Sequence, residues 1–391
     1  MRVIKNSHNG IGGIAIEGIE MLKYVKSTPH NFLTLIHRDV NHLQYSASNS
    51  PNTSTHYLLV TKNSAELKEG VRNMEDLYSK YEDQISLIER IIEKEESDIA
   101  FCSGSFYYPW LLMQASKNKE LPISVRYAGI IEKEEKEQLW IDMGKDFINK
   151  DYIYLFPSEH AKNELEKIHG VSLPYAYISP NGINSSFFNN ESKKVNSEEF
   201  NIAFVGRLAP IKNPEYLAIL ASALRKEGVE ANLFGLTDLS SVGNSPYQRS
   251  VLNAWREEGI KLIDFIDHNN LAEFYRSCNL IITPSHFETF GNVPLEAIAS
   301  GTPAIINKNV GVKEAFYKLG LSDLVLDFND LDSVIRKVKE IKTEKRVTSK
   351  KVVEKIARDY NWSAIIERNF SIMEEHLKVR QAKETQLRLM T

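Results

Sequence analysis

Pro284-Ser-His-Phe-Glu288-Thr-Phe-Gly-Asn-Val-Pro294-Leu-Glu296-Ala-Ile-Ala-Ser300-Gly-Thr-Pro303 follows directly on a short apolar run, Asn279-Leu-Ile-Ile-Thr283. The apolar run reads as a buried strand, and Pro284 as the turn that ends it. A loop containing Gly291 comes next, and the spacing predicts a short helix from about Pro294 to Ser300. Gly301 and Pro303 close that helix before a second apolar run, Ala304 to Ile306. Pro294 suits the first helical position, which puts Glu296 in the first turn. Glu288 and Glu296 therefore flank a loop that starts where a strand ends, the place where open α/β sheets bind ligands. Each acid also has a plainer reading. Glu296 could be a first-turn acid favoured by the helix dipole by a few tenths of a kcal/mol, and Glu288 a solvated loop residue.

Upstream of this stretch, strands and helices alternate. Phe200 to Val205 reads as a strand, Gly206 to Asn213 as its loop and Pro214 to Lys226 as a helix. Ala231 to Phe234 is a strand ending at Gly235; Ser245 to Glu258 is helical, Lys261 to Phe265 a strand and Leu271 to Ser277 a short helix. Downstream, Leu324 to Leu326 is a last short strand, Leu331 to Tyr360 is mostly helical, and an amphipathic helix runs from Trp362 to a basic end with Lys378, Arg380, Lys383 and Arg388. A solvated tail fits those charges, because acids and glutamines are mixed in, but contact with anionic lipid stays open.

The N-terminal half repeats the alternation. A first strand at Met1 to Lys5 meets a loop holding Gly10, Gly12 and Gly13, then a helical pattern from Ile14 to Tyr24. Glycines let backbone approach a ligand closely, and a helix start favours an anion. His8 stands beside this loop; a lone loop histidine is more often structural. Phe32 to Ile36, Tyr57 to Val60, Ile99 to Cys102, Ile123 to Tyr127, Tyr152 to Phe156 and Tyr175 to Ile178 read as strands. Asn41 to Thr55, rich in Ser and Asn, reads as a loop. Ala65 to Lys94 and Trp110 to Ser116 read as helices, and Ser158 as an N-cap. Asn184 to Glu199 has little apolar pattern and reads as a linker. Two parallel-sheet domains follow from the doubled alternation.

The composition agrees. At 391 residues with 42% hydrophobic content, the chain suits two globular domains. A formal net charge of -4 argues against tracking of nucleic-acid phosphates. Cys102 and Cys278 lie far apart in apolar contexts, which implies reduced core thiols and an intracellular protein, with no zinc spacing. No apolar run reaches the ~18 to 20 residues that span a bilayer, and the N-terminus has no signal-peptide pattern.

Arg207 and Lys212 fall in the strand-to-helix loop of the second domain, whose later loop holds Glu288 and Glu296. Singly, such cations are usually surface charges. Together, a planar guanidinium and an ammonium suit a diphosphate, while a carboxylate suits ribose hydroxyls.

At this point a family resemblance emerges. Gly206-Arg-Leu-x-x-x-Lys-Asn-Pro-Glu, Pro180-Asn-Gly, Pro284-Ser-x-x-Glu288-x-Phe-Gly, the seven residues between Glu288 and Glu296, and Ala297-x-x-x-Gly301-x-Pro303 resemble family-four retaining glycosyltransferases. The resemblance implies the GT-B fold: two Rossmann-like parallel-sheet domains facing each other across a cleft. It divides the chain into an acceptor domain, 1–185, completed by 362–391, and a donor domain, 186–361. The likeness covers the second domain almost throughout and the first mainly in layout.

The resemblance also implies roles. Arg207 and Lys212 would hold the donor diphosphate and balance charge on the leaving group. Glu288 would face the donor sugar, with Phe290, Gly291, Asn292 and Val293 along sugar and phosphate. Glu296 would bond the ribose hydroxyls, and Ile266 would lie near the base. Gly10, Gly12 and Gly13 would bring the first domain against diphosphate and acceptor. Many relatives carry a histidine where this chain has Arg126, which leaves Arg126 to orient an acidic acceptor or the donor sugar, or to form an ion pair. The implied reaction moves a sugar from a nucleoside-diphosphate sugar, UDP first and GDP second, with retention and with no metal or other cofactor. A glycan, lipid-linked, protein or small-molecule acceptor fits, in the cytoplasm or at the inner membrane surface. A nucleotide-sugar epimerase of the same fold and a non-catalytic partner subunit are the alternative readings.

Overall fold

The computed structural model describes the whole chain except residues 8–12, 26–27, 29, 40–44, 50–53, 62–70, 105–106, 128–137, 189–198, 244 and 391. It divides into two compact units, Met1–Pro180 with Trp362–Thr391, and Asn181–Asn361.

The first unit is built on strands β1 (Arg2–Ser7), β2 (Asn31–Asp39), β3 (Tyr45–Asn49), β4 (Ser54–Thr61), β5 (Ile99–Ser103), β6 (Ile123–Arg126), β7 (Ile153–Phe156) and β8 (Ala176–Ile178). They form one sheet in the order β3-β4-β2-β1-β5-β6-β7-β8, parallel except for β3, which runs antiparallel to β4. The strands β5, β6 and β7 are buried along their whole length because both faces are covered. Alternation then sorts their side chains. Ala100, Cys102, Tyr154 and Phe156 join a cluster with the helices α2 (Met74–Lys94) and α3 (Tyr107–Asn118). Ile99, Phe101, Ile153 and Leu155 face α1 (Gly13–Val25) and the last helix, α13 (Trp362–Met390). Helix α13 contributes Trp362, Ile366, Phe370 and Met373, spaced one turn apart. The helix α5 (Glu159–His169) starts at Ser158, whose hydroxyl accepts from the Ala161 amide, as the sequence predicts.

Two predicted features of this unit change. Asn41 to Thr55 is not all loop, since β3 and the start of β4 lie in it. Ser and Asn signal turns by their side chains, whereas an edge strand needs only a backbone ladder. The predicted helix from Ala65 begins, within the described residues, only at Met74, capped by the Asn73 side chain. A further helix, α4 (Gln138–Asp146), follows β6. His8, Gly10 and Gly12 lie outside the described residues, and Gly13 opens α1.

The second unit has strands β9 (Asn201–Val205), β10 (Asn232–Leu236), β11 (Lys261–Ile263), β12 (Leu280–Thr283), β13 (Ala304–Asn307) and β14 (Val325–Leu326). All are parallel, in the order β11-β10-β9-β12-β13-β14. Renumbered within the unit this is 3-2-1-4-5-6, the doubly wound order whose direction reverses between β9 and β12. Their helices are α6 (Tyr216–Lys226), α7 (Pro246–Glu257), α8 (His268–Ser277), α9 (Asn292–Ala299), α10 (Lys313–Leu319), α11 (Leu331–Glu344) and α12 (Lys350–Asp359).

Gly235 does not end a strand here. It lies within β10, where an added Cβ would come 2.1 Å from the Trp255 ring. The glycine is a packing site for an indole, and residue type alone reads it as a breaker. The predicted linker also shrinks. Ser185–Phe188 forms a 3-10 turn, and Phe187 is buried in the core of the second unit; residues 189–198 lie outside the described residues. Two adjacent aromatics, Phe187 and Phe188, fasten this otherwise polar segment to the core. Among the described residues, no helix is long and apolar enough to cross a membrane.

Candidate functional site

The reversal point of the second sheet brings together the loops that leave β9 and β12. The β9 loop contains Gly206, an exposed Arg207 and a buried Leu208 that anchors it, then a 3-10 turn at Pro210–Lys212. Asn213 closes the turn at φ 52°, a left-handed conformation that Asn tolerates. Its side-chain amide donates to the Pro284 carbonyl at 3.3 Å, and the His286 amide donates to the Ile211 carbonyl at 2.9 Å. Asn307, at the end of β13, donates to the Ser285 carbonyl at 3.0 Å. The two loops are thus tied by backbone-directed bonds and not by side-chain charges alone.

Within that frame Lys212 and Glu288 form an ion pair, Nζ to Oε2, at 2.8 Å. The other carboxylate oxygen accepts from the buried Ser285 hydroxyl at 2.8 Å. Glu288 is held further by its backbone, since its carbonyl accepts from Gly311 at 3.0 Å, and the Phe290 carbonyl accepts from Val312 at 2.7 Å. Phe290 is buried, so the loop backbone is pinned from below. Gly291 then turns at φ 98°, and a Cβ there would meet the Glu288 Oε2 at 3.3 Å. Only glycine takes this backbone without strain, and it keeps space around the carboxylate.

Helix α9 begins at Asn292, two residues before the predicted start. Pro294 is therefore the third helical residue, and Glu296 is not in the first turn. The proline is tolerated because the first four helical N–H groups have no intrahelical partner. The consequence is large for Glu296. It points into the unit and is buried, accepting from the Tyr275 hydroxyl at 3.0 Å and meeting His268 Nε2 at 3.3 Å. The helix-dipole reading of Glu296 falls with its position. Burial, followed by the neighbouring Glu296 carboxylate, pushes the Tyr275 phenol well above its ordinary pKa, so it stays a hydrogen-bond donor. Asn292 accepts from the Asn181 amide at 2.8 Å, which ties the Pro180-Asn-Gly segment to the start of α9. Val293 and Ile266 are half-buried and pack against the core of this unit.

Ser285 stands in the quoted motif without a role of its own, and neither His268 nor Tyr275 was singled out from sequence. A signal existed for two of them: His268 and Tyr275 are seven apart, two turns on one helical face. Reading the helix from Leu271 hid it, since α8 begins at His268.

Arg126 ends β6 in the first unit and is buried. Its Nε lies 3.2 Å from the Glu17 carboxylate. Its terminal nitrogens donate to the carbonyls of Ser179 and Pro180, the latter at 3.2 Å. Glu17 also takes Lys5 at 3.2 Å and the Ser103 hydroxyl at 2.7 Å. Of the three readings of Arg126, the ion pair is present, with Glu17 of α1. Burial by itself would raise the Glu17 carboxyl, but Lys5, Arg126 and Ser103 together hold it below the usual carboxylate range. Burial pushes Lys5 and Arg126 below their ordinary values. Among the described residues, no cluster of three or more His, Cys, Asp or Glu side chains converges closely enough to hold a metal ion.

Residues 186–359 match the family model described as glycosyl transferases group 1. A D-inositol 3-phosphate glycosyltransferase of Corynebacterium efficiens is 31% identical over 171 residues, 42% of this chain and 40% of that protein. The match thus spans about two fifths of that relative's length. Sucrose-phosphate synthase from Thermosynechococcus elongatus has the same fold, with a TM-score of 0.73 and 16% identity, over 97% of this chain and 100% of that one. A UDP-forming trehalose-phosphate synthase from Burkholderia xenovorans gives a TM-score of 0.72 at 14% identity, over 96% and 99% of the two chains. In sequence over residues 186–359, and in fold over nearly its whole length, the chain resembles the GT-B glycosyltransferases.

Proposed function

We propose that this protein is a glycosyltransferase that moves a sugar from a nucleoside-diphosphate sugar, UDP before GDP, to an acceptor with retention of configuration. The observation that carries the reading is the Lys212–Glu288 ion pair between the loops that leave β9 and β12, at the reversal point of one doubly wound sheet, with Arg207 in the first of those loops and Glu296 on the helix that follows the second. Arg207 and Lys212 serve the diphosphate. Charge develops there as the glycosidic bond breaks, and fixed cations stabilise it without a metal. Lys212 would then exchange its Glu288 partner for a phosphate oxygen, leaving Glu288 to meet the sugar. Glu296 receives the ribose, and the half-buried Ile266 flanks the base. The names of a UDP-forming trehalose-phosphate synthase and a D-inositol 3-phosphate glycosyltransferase favour UDP and a small polyhydroxylated acceptor.

Arg126 is assigned a positioning role, because its guanidinium is turned inward onto Glu17 and two carbonyls. The acceptor, whether glycan, lipid-linked, protein or small molecule, is assigned to the first unit, with Gly10, Gly12 and Gly13 beside it. A cytoplasmic setting, with peripheral membrane contact as the variant, completes the proposal.

A thermal-shift panel of UDP, GDP and their sugar conjugates, run with and without EDTA, tests the reading. A ligand at about 100 times its Kd should stabilise by about 2.7 kcal/mol. The expected result is a response to one nucleotide series that EDTA does not change. No response to any nucleotide overturns the function, and a response that EDTA removes and magnesium restores overturns the metal-free part.

A further inference from the structure

The Glu296 carboxylate is held from one side by a single helix. On α8, Tyr275 donates to Oε2 at 3.0 Å, and His268, two turns earlier, places Nε2 at 3.3 Å from Oε1. A carboxylate only accepts, so this second bond requires the hydrogen on Nε2. The His268 ring stands edge-on to Phe187, with centroids 5.0 Å apart at 78°. Phe187 is itself fully buried, so the imidazole rests on a fixed wall. The two partners of Glu296 differ in access. Tyr275 is wholly buried, whereas the His268 side chain is 27% exposed and that of Glu296 8%. The open side of the cluster is the His268 side. An ionised carboxylate has about four acceptor positions. With Tyr275 and His268 on two of them, two remain, which is the number a vicinal diol fills.

We propose that His268 is a positioning residue for the ribose of the bound nucleotide. It fixes the plane of the Glu296 carboxylate so that the two remaining acceptor positions meet the two ribose hydroxyls. It thereby sets discrimination against deoxynucleotides. The inference rests on the donor-site reading above. Its physical basis is that a site built to bond a hydroxyl is left with an unpaired buried polar group when that hydroxyl is missing. Fixing the carboxylate makes the mismatch costly; releasing it lets the group turn toward another partner.

The experiment is calorimetric titration with whichever of UDP and GDP binds, and with its 2′-deoxy and 3′-deoxy forms. The wild-type protein should bind both deoxy forms at least about tenfold more weakly than the ribonucleotide. His268→Ala should weaken the ribonucleotide and shrink the discrimination to within about threefold, because the carboxylate is no longer held. His268→Gln carries an amide nitrogen to nearly the same place as Nε2 and should restore both affinity and discrimination. His268→Asn is too short and should behave as the alanine variant. A merely structural histidine would change the unfolding midpoint of the free protein and leave the discrimination intact. Full discrimination in His268→Ala, or none in the wild type, overturns this inference while the donor-site reading stands. No nucleotide binding by the wild type overturns both.

Discussion

Lys212 and Glu288 neutralise each other at 2.8 Å, and on the proposed reading each would leave the other for its own part of the donor, Lys212 for phosphate and Glu288 for sugar. The pair keeps two charges satisfied, and it gives opposite expectations for the two partners. Lys212→Met removes a charged donor to the diphosphate. Hydrogen bonds to charged groups contribute about 1.5–3 kcal/mol, so nucleoside-diphosphate affinity should fall roughly 10- to 100-fold. Glu288→Ala leaves Lys212 free for phosphate, and should lower turnover more than it lowers nucleotide affinity. Glu296→Ala should weaken nucleotide binding first. Calorimetry and steady-state kinetics on the three variants check this order, and the reverse order for the two acids would overturn their roles. The acids were legible as candidates from their spacing and from the strand before them. Of their present partners, Ser285 lies three residues before Glu288 in the same motif but carries no role there, whereas Tyr275 and His268 reach Glu296 from another helix, beyond any local pattern.

At the scale of elements, glycines separate the positions that sequence reads well from those it misreads. Gly291, at φ 98°, is a turn glycine, as its place in a strand-to-helix loop suggests. Gly235 is a packing glycine in a strand, covered by an indole whose Nε1 donates to the Pro214 carbonyl at 2.9 Å. Trp255 cannot move aside without breaking that bond. Gly235→Ala should therefore cost about 1–3 kcal/mol or more through overpacking. Gly228→Ala, where φ is 66° and no atom lies within 4 Å, should cost only about 1–2 kcal/mol of backbone strain. Urea midpoints of the two variants compare the effects; an equal or smaller loss at Gly235 would show that the indole shifts freely. The strand-helix alternation itself was legible because most parallel strands covered on both faces hold a short apolar run, as in β7 and β12. The edge strand β3 was not, because its Ser and Asn content resembles a turn.

At the scale of the molecule, two carboxyls with depressed pKa, one in each unit, differ in how deeply they are buried. Unit one encloses Lys5, Glu17 and Arg126 within its core, whereas the depressed carboxyl of Asp323 in unit two, held by Arg346, is largely exposed and screened. The folded Glu17 carboxyl lies below its unfolded value, ~4.3. Its stabilisation is therefore complete above that value and lost as pH falls through the folded one. Acidification from pH 5 toward pH 3 should release amide protection in β1, β5 and β6 before it does so in β9 and β12. Hydrogen exchange, corrected for intrinsic rates, measures this, and simultaneous release of both sheets would contradict it.

The sequence by itself determined the doubled α/β alternation and the loops that end β9 and β12, and it marked Arg207, Lys212, Glu288 and Glu296 as candidates. These follow from local patterns: apolar runs set strands, glycine and proline set turns, and a motif fixes spacing along one loop. Only the tertiary structure decided that Glu296 lies in the second turn of its helix and is buried on Tyr275 and His268. It also decided that Lys212 and Glu288 are paired, and that Arg126 is turned inward on Glu17. The reason is physical. Whether a charged side chain is solvated, paired or buried depends on groups that folding brings next to it, and spacing along the chain does not carry that information.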